Sequence, residues 1–268
     1  MEIELYDIKF KNVIDNFSYK FEGEKITSIL GKSSSGKSLI GYLIMGLAKY
    51  DSGNILVDGD TKYNKKQFMK DVGYVFQNPI DHFFCETVSE EIGFGLKQFK
   101  FKLNKIEQQI KESLTMVGLD ESFYDRKLDT LSSGESFLVA LASSLVLNPK
   151  VLILDEPTVY LDYNNKKNLI KLLKMLKDRY KKTIIVMSND ISFVYSISDN
   201  YIFLDNCKKI KNGNIDDLLI NSGILKSFGY EIPDIVSFIE MVKSLKGIDL
   251  EYCNNVDKLV SEVIKNAK

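Results

Sequence analysis

The fold is decided by the stretch Ile29-Leu30-Gly31-Lys32-Ser33-Ser34-Ser35-Gly36-Lys37-Ser38, which matches G-x-x-x-x-G-K-[ST]. An apolar run at 25–30 leads into it and predicts a strand, and the apolar segment 39–48 after it predicts a helix. In this setting the glycines let the backbone wrap a phosphate, and N–H groups at the helix N-terminus stabilise its charge. The sequence therefore predicts a phosphate-binding loop rather than an incidental turn rich in glycine and serine.

Two side chains of this loop have distinct predicted roles. Lys37 reaches the β and γ phosphate oxygens of a nucleotide, and the Ser38 hydroxyl is a ligand for Mg²⁺. We expect the whole loop and the next residue to contact the nucleotide, namely Gly31, Lys32, Ser33, Ser34, Ser35, Gly36, Lys37, Ser38 and Leu39.

A second apolar run, 151–154, ends in two carboxylates, Asp155 and Glu156. Parallel strands end at one edge of a sheet, so this pattern places both acids beside the phosphate-binding loop. We expect Asp155 to hold Mg²⁺, and Glu156 to orient or deprotonate the water that attacks the γ-phosphate. The alternative, in which acids simply end a strand, weakens once the loop is accepted.

Composition limits the classes of function. The 268 residues carry 36 basic and 37 acidic side chains, so the chain lacks the positive field that nucleic-acid binders use, and nucleic acid is not an expected partner. Arginine occurs only at Arg126 and Arg179, hence an anion site must rely on lysine, backbone N–H groups or a metal. Three cysteines outside C-x-x-C spacing argue against a disulfide framework or zinc site, and no stretch has the length of a membrane span.

Strand-like runs alternate with helical stretches along the chain, at 25–30, 55–58, 72–76, 151–154, 183–187 and 201–205. This alternation predicts an α/β fold of the P-loop NTPase type over residues 1–220, with a mostly parallel sheet and helices on both faces. We place an inserted helical subdomain at about 80–150. One of its helices has a predicted apolar face before a stop at Gly118, formed by Leu103, Ile106, Ile110, Leu114 and Val117.

Residues 221–268 are predicted to form a small C-terminal helical tail. Pro233 opens a helix that ends near Gly247, and Asn255 caps a second helix. Two such short helices have too little mutual surface to form a core, so they pack on the body or serve as a dimerisation element. Their apolar stripes are Ile235, Phe238, Ile239, Val242 and Leu245, then Val256, Leu259, Val260 and Val263.

Further motifs carry a family resemblance. Leu131-Ser132-Ser133-Gly134-Glu135 resembles the LSGGQ signature of ABC-type ATPases, with Ser133 in place of glycine and Glu135 in place of glutamine. Other marks of that family follow in order over residues 1–205: Ser52-Gly53-Asn54-Ile55 with Asp58-Gly59, Gln77 as the Q-loop, Glu156-Pro157-Thr158, and Leu161-Asp162 as the D-loop.

The resemblance implies two ATPase domains stacked head to tail, with each ATP between one phosphate-binding loop and the signature of the other domain. It implies that Gln77 contacts ATP and joins Ser38 and Asp155 around Mg²⁺. Glu135 puts a carboxylate at the start of a predicted helix, which disfavours a γ-phosphate there unless the carboxylate turns away. The residues implied to contact ATP in trans are Ser132, Ser133, Gly134 and Glu135.

The sequence around Gln77 resembles a narrower group. The segment 73–84, GYVFQNPIDHFF, is similar to the Q-loop region of energy-coupling factor (ECF, cobalt- and vitamin-importer) ATPases, as are 86–88, 94–96 and the tail. This likeness implies an ATP-hydrolysing subunit at the cytoplasmic face of the cell membrane, docked to a membrane scaffold subunit, with a vitamin or transition-metal ion captured by a separate membrane subunit. His82, the single histidine, is expected to be a solvated loop residue.

Other readings stay open at this point: the ATPase of a conventional ABC transporter, a soluble non-transport ABC protein, or a structural subunit that binds ATP mainly to hold an assembly closed. Within the family pattern, the partner of adenine is also open. The family stacks adenine on an aromatic residue upstream of the phosphate-binding loop, for which Tyr6 and Phe10 are candidates. Ile3, Leu5 and Ile8 suggest a strand in the same stretch.

One departure bears on mechanism. Asn189 occupies the position of the family's switch histidine; its amide donates a hydrogen bond but holds no proton or charge. This replacement predicts reduced ATP turnover at this chain's own site, unless Asn189 is a competent substitute for the histidine. Asn189, Ser133 and Glu135 all depart from the family pattern at nucleotide-binding positions. In a homodimer both sites would carry all three departures, so a heterodimer with a second ATPase subunit is favoured.

Overall fold

The computed structural model describes residues 1–220, 223–250 and 256–266. Its strands are β1 (Ile3–Phe10), β2 (Ile14–Phe21), β3 (Ile26–Leu30), β4 (Ser52–Val57), β5 (Val72–Val75), β6 (Val151–Asp155), β7 (Thr183–Met187), β8 (Asn200–Asp205) and β9 (Lys208–Asn214). Its helices are α1 (Lys37–Met45), α2 (Lys65–Asp71), α3 (Val88–Gln98), α4 (Leu103–Val117), α5 (Ser133–Leu145), α6 (Tyr163–Asp178), α7 (Ile191–Ile197), α8 (Ile215–Ile220), α9 (Gly223–Ser227), α10 (Asp234–Lys246) and α11 (Val256–Asn266).

Two sheets form the body. The larger has the strand order β5-β6-β7-β3-β8-β9, with parallel neighbours except for β9, which runs antiparallel to β8. The smaller is antiparallel, with the order β2-β1-β4. The predicted α/β fold is confirmed, but the run 55–58 was wrongly assigned to the main sheet. Residues 55–57 belong to β4 of the small sheet, which packs on one face of the large sheet.

The large sheet is covered on both faces, and β6 shows how. Val151 and Ile153 lie in a buried cluster with Ile40 and Leu43 of α1 and with the small sheet. The intervening Leu152 and Leu154 lie in a second cluster, with buried residues of α3, α4, α5 and α6. All residues of β6 are buried, as expected for a central parallel strand that has no polar face.

Helices α3, α4 and α5 occupy the predicted insertion. The apolar face of α4 is confirmed, because Ile106, Ile110, Leu114 and Val117 are buried; the Leu103 side chain lies outside the described part. The predicted stop is also confirmed: Gly118 adopts φ 86°, a left-handed conformation that favours glycine, and it caps α4.

The tail begins by packing on the body. Leu225 and Val236 are fully buried in a cluster with Phe203 of β8, and the Phe228 ring stacks on Phe203 with centroids 4.5 Å apart. Pro233 precedes α10 and Gly247 ends it, as predicted. The predicted apolar stripe of α10 is wrong in one respect. Leu245, which it includes, is 72% exposed, whereas Val236, which it omits, is fully buried.

The second tail helix, α11, is only partly open to the same comparison. Leu259 is buried as expected, while Val260 is 41% exposed, and the Asn255 cap and the Val256 side chain lie outside the described residues. Among the helices that the structure describes, none has both the length and the apolar character needed to cross a membrane.

Candidate nucleotide site

The carboxyl ends of four neighbouring strands, β5, β6, β7 and β3, open onto a cavity of about 900 Å³. The cavity brings together the loop after β3, the acids that end β6 and the residues that follow β5 and β7. The predicted site residues that line it are Ser33, Ser34, Ser35, Gly36, Lys37, Ser38, Leu39, Gln77, Asp155, Glu156 and Asn189. Separate stretches of sequence thus form one nucleotide-sized site.

The phosphate-binding loop depends on Gly36 for its shape. Gly36 has φ 97° and begins α1, and a Cβ atom there would lie 2.4 Å from the Cys207 sulfur. The Cys207 N–H donates to the Ser35 carbonyl at 2.9 Å, so the turn between β8 and β9 supports the loop from behind. The sequence pattern did not assign Cys207 to the site, since its contact with the loop comes from a distant hairpin.

Lys37 is buried, with 6% exposure, and its ammonium is surrounded by oxygen atoms. It donates to the Gly31 carbonyl at 2.6 Å and to the Lys32 carbonyl at 3.2 Å, and it lies 3.4 Å from Glu156 Oε1. A buried cation needs such partners. Phosphate oxygens would replace them when a nucleotide enters, because a charge-assisted bond to phosphate is stronger than one to a neutral carbonyl.

Asp155 ends β6 with a carboxylate that is 2% exposed. The Tyr74 hydroxyl donates to Oδ2 at 3.3 Å, whereas Oδ1 has no hydrogen-bond partner among the described residues. Burial raises the pKa of Asp155, an effect that the Ser38 and Tyr74 hydroxyls and the Lys37 charge oppose. A buried carboxylate oxygen left unpaired beside a serine hydroxyl fits Mg²⁺, which prefers oxygen ligands. Gln77 lines the same cavity, and its role as a further ligand stays a prediction.

Glu156 follows Asp155 in a left-handed backbone conformation, with φ 45°, which is uncommon outside glycine. Its N–H donates to the Met187 carbonyl of β7 at 2.8 Å, and its Oε2 accepts from the Asn189 N–H at 3.0 Å. Burial raises the pKa of Glu156, against the opposing effects of the Asn189 N–H and Lys37. A raised pKa makes the carboxylate a better proton acceptor, as its predicted role on water requires.

Asn189 faces the phosphate-binding loop and a residue that sequence reasoning missed. Its Oδ1 accepts from Lys37 Nζ at 3.1 Å and from the Tyr230 hydroxyl at 3.2 Å. Tyr230 belongs to the tail, and its hydroxyl oxygen accepts from the Gly31 N–H at 2.9 Å, across a separation of 199 residues. Because no motif links residues so far apart, the sequence offered no sign of this contact.

The signature segment begins α5 and resolves the expected conflict at Glu135. Ser132 caps the helix, and a capping box joins the two: the Glu135 N–H donates to Ser132 Oγ at 3.3 Å, and the Ser132 N–H donates to Glu135 Oε2 at 2.8 Å. Arg126 donates to Glu135 Oε1 at 3.0 Å. The Ser132 N–H and then Arg126 lower the pKa of Glu135. Both carboxylate oxygens thus face donors of their own chain.

Gly31 and Lys32 do not line the cavity but contact Lys37 through their carbonyls, and the other predicted residues lie away from it. Ser132, Ser133, Gly134 and Glu135 do not line it, and their contact with the ATP of another domain stays a prediction. Tyr6 is 52% exposed on β1, and Phe10 is half-buried beneath the Lys11 ammonium. Neither ring lines this cavity, so the partner of adenine stays a prediction. The His82 side chain is outside the described residues.

The fold and the cavity define a class, the P-loop ATPases with an inserted helical subdomain. The ABC transporter family model matches residues 14–159. The chain is 32% identical to the energy-coupling factor transporter ATP-binding protein EcfA1 of Mycoplasma mobile, over 98% of this chain and 96% of that protein. It is 30% identical to EcfA2 of Clostridium perfringens, over 96% and 93%.

A solved structure agrees with these relatives. It is cbiO1 from Clostridium perfringens, part of the ABC transporter complex cbiONQ, with a TM-score of 0.74 and 28% identity over 89% of this chain and 98% of that one. The chain therefore belongs to the ABC transporter family and, within it, to the energy-coupling factor ATP-binding proteins; it is an ATPase.

Proposed function

We propose that this chain is the ATP-hydrolysing subunit of an energy-coupling factor importer, at the cytoplasmic face of the cell membrane, and that it drives uptake of a vitamin or a transition-metal ion. The observation that carries the proposal is the single cavity that holds Lys37, Asp155, Glu156 and Asn189, in a chain similar along its length to energy-coupling factor ATPases. That cbiO1 is part of the complex cbiONQ supports assembly with membrane subunits.

The proposed mechanism starts from the contacts of Lys37. When ATP binds, its phosphate oxygens replace the Gly31 and Lys32 carbonyls as acceptors for the Lys37 ammonium, and the loop N–H groups surround the phosphates. Ser38, Asp155 and Gln77 would hold Mg²⁺, which supplies charge neutralisation at the β and γ phosphate oxygens. Once Lys37 has moved to the phosphates, Glu156 keeps the Asn189 N–H as a partner and accepts a proton from the attacking water.

A second ATPase domain would complete each site. The Ser133 and Gly134 N–H groups lie in the first turn of α5, where a helix has free donors and a positive dipole end. We propose that these N–H groups and the Ser132 hydroxyl bind the γ-phosphate of an ATP held by the partner domain, with Glu135 beside them and paired to its own chain. Arg126 supports this role, because it offsets the Glu135 charge that would otherwise repel the phosphate.

We propose that the partner is a different ATPase subunit, with a histidine at the switch and a glycine pair in its signature. In such a heterodimer Asn189 weakens the site on this chain's loop, while Ser133 and Glu135 complete the other site. We expect Asn189→His to raise ATP turnover of the complex up to about tenfold, because imidazole adds a chargeable donor. Steady-state ATPase assays of the chain alone and with its partner check this, with Asn189→Ala as the variant that lacks any donor. Robust turnover by the chain alone, with no gain from histidine, would leave Asn189 as a competent substitute.

We propose that the tail contributes to subunit association. On α10, Leu245 and Met241 are 72% and 51% exposed, whereas Val242 is buried. An affinity-tagged chain should co-purify with its membrane scaffold and second ATPase. Leu245→Asp should lower recovery of the second ATPase several-fold, because a charge replaces apolar contact area. Ser244→Asp adds the same charge at an exposed polar position and is the matched control. Equal recovery with both variants would mean that the tail only covers the body.

A further inference from the structure

Tyr230 lies between the phosphate-binding loop and the switch position, although it comes from the tail. Its hydroxyl oxygen accepts from the Gly31 N–H at 2.9 Å and stands 3.2 Å from Asn189 Oδ1. Nothing else from the tail makes a described hydrogen bond to these two residues. A single phenol therefore joins the first residue of the loop to the residue proposed to face the γ-phosphate.

The direction of this chain of bonds follows from chemistry. A lysine ammonium only donates, so the Asn189 atom that faces Lys37 Nζ at 3.1 Å must be the amide oxygen. The Gly31 N–H also only donates, hence it uses a lone pair of the Tyr230 oxygen and leaves the phenol hydrogen for Asn189. Tyr230 thus donates to Asn189 Oδ1. Burial raises the pKa of Tyr230 to about 12, so the phenol keeps this hydrogen at physiological pH.

The fold holds the Tyr230 ring in place. Gly229, two residues beyond the end of α9, adopts φ 75°, and the Tyr230 N–H donates to the Leu225 carbonyl at 2.9 Å. The ring packs near Phe203 of β8, with centroids 6.0 Å apart. Leu225 and Phe203 are fully buried, so the partly buried Tyr230 ring is anchored on the core.

We propose that Tyr230 is a positioning residue that holds the Asn189 amide with its oxygen towards the tail, so that Nδ2 is the end that donates to the γ-phosphate. When Lys37 moves to the phosphates of ATP, Asn189 Oδ1 loses one of its two donors. The Tyr230 hydroxyl then remains as its donor. Without Tyr230 the planar amide is free to turn its oxygen towards the phosphate, which repels it. This inference rests on the proposed role of Asn189 and adds that an asparagine switch needs an orienting donor.

The test is a double-mutant cycle in the complex with a partner ATPase whose own catalytic glutamate is replaced by glutamine, so that turnover reports only the site on this chain's loop. Tyr230→Phe removes only the hydroxyl, and it should lower kcat about 5- to 20-fold while the KM for ATP changes less than about threefold, because the lost interaction acts on the reacting phosphate. Tyr201→Phe is the matched control, since its hydroxyl is buried in the same cluster and has no hydrogen-bond partner among the described residues. In an Asn189→Ala background, Tyr230→Phe should change kcat less than about twofold, because no amide remains to be oriented.

Equal loss of kcat in both backgrounds would overturn the positioning role, because Tyr230 would then act through the loop or through stability. An unaffected Tyr230→Phe beside a slow Asn189→Ala would overturn it as well, while the proposed role of Asn189 would stand. An Asn189→Ala chain with unchanged kcat would overturn both. Thermal melting of each variant, within a few degrees of wild type, separates these outcomes from unfolding.

Discussion

Glu156→Gln is expected to lower the rate constant of ATP hydrolysis at this chain's own site by about 10²–10⁴-fold and to leave the Kd for ATP within about threefold. The amide preserves the shape of the side chain and an oxygen that accepts from the Asn189 N–H, which lies 3.0 Å from Oε2 in wild type. It removes the basicity that the attacking water requires. Single-turnover hydrolysis measures the first quantity, and equilibrium binding of a fluorescent ATP analogue measures the second.

The matched control for this variant is Glu107→Gln, the same chemical change on an exposed side chain of α4. It should leave both quantities unchanged. A loss of ATP affinity in Glu156→Gln as large as its loss of rate would show that Glu156 binds the nucleotide rather than directing water.

The pH dependence provides a second readout of the same carboxylate. Burial raises the pKa of Glu156 above its ordinary value, so the base should be lost to protonation as pH falls through that raised pKa. An exposed glutamate has a pKa of about 4.3. The acidic limb of the kcat–pH profile should therefore have its midpoint above that value. The limb should be absent in Glu156→Gln, whose side chain does not titrate.

Lys37→Ala is expected to weaken ATP binding on the order of a hundredfold or more, because it removes the buried ammonium that neutralises phosphate charge. The surrounding oxygens, including the Gly31 carbonyl and Glu156 Oε1, would then face the phosphates without a cation between them. Isothermal titration with ATP and Mg²⁺ measures the change. Lys49→Ala, an exposed lysine beyond the end of α1, is the control for charge alone and should bind as wild type does.

Binding by Lys37→Ala within a few-fold of wild type would contradict the assignment of this loop. Because the substitution also leaves Glu156 without its cation, the melting temperature of the variant should be measured alongside. A folded variant that fails to bind ATP is the expected result.

The sequence was most informative where one local pattern determines both structure and chemistry. The apolar run that ends in Asp155 had to be a central strand, and parallel order then placed its acids beside the loop that holds Lys37. Gly36 is a second example, because its place in the motif predicted both the turn of the loop and its role in phosphate binding. Its backbone conformation and the contact with Cys207 exclude any side chain.

The small sheet shows why other elements were missed. In β2 the buried residues are Ile14, Phe17 and Phe21, spaced by three and four as in a helix. Shifts in the pairing of β1 with β2 explain this spacing, because a bulge moves the next side chain to the other face. In β9 all residues except Gly213 are exposed, so the edge strand carries no apolar pattern to detect.

The site was incompletely predicted for a different reason. From the sequence alone, the Glu135 carboxylate should repel a phosphate. In the structure Arg126 and the capping box occupy its oxygens, and neither contact is part of the signature pattern. Tyr230 reaches Gly31 and Asn189 through the packing of the tail on β8, a tertiary contact with no local sequence mark. Sequence patterns therefore predicted the groups that the cavity brings together, and the structure was needed to find the residues that contact them.

The most direct measurement is ATP-driven uptake by proteoliposomes that contain the membrane scaffold, the substrate-capture subunit, the second ATPase and this chain. Vitamins and transition-metal ions would be tested as cargo, with wild-type chain and with Glu156→Gln, each beside a second ATPase whose own catalytic glutamate is replaced by glutamine, so that hydrolysis reports the site on this chain's loop. We expect uptake that depends on ATP with the wild-type chain, and parallel loss of hydrolysis and uptake with Glu156→Gln in a complex that retains all four subunits. Undiminished uptake with Glu156→Gln, or hydrolysis by an assembled complex that transports none of these cargoes, would contradict the role of this chain as the ATP-hydrolysing subunit of such an importer.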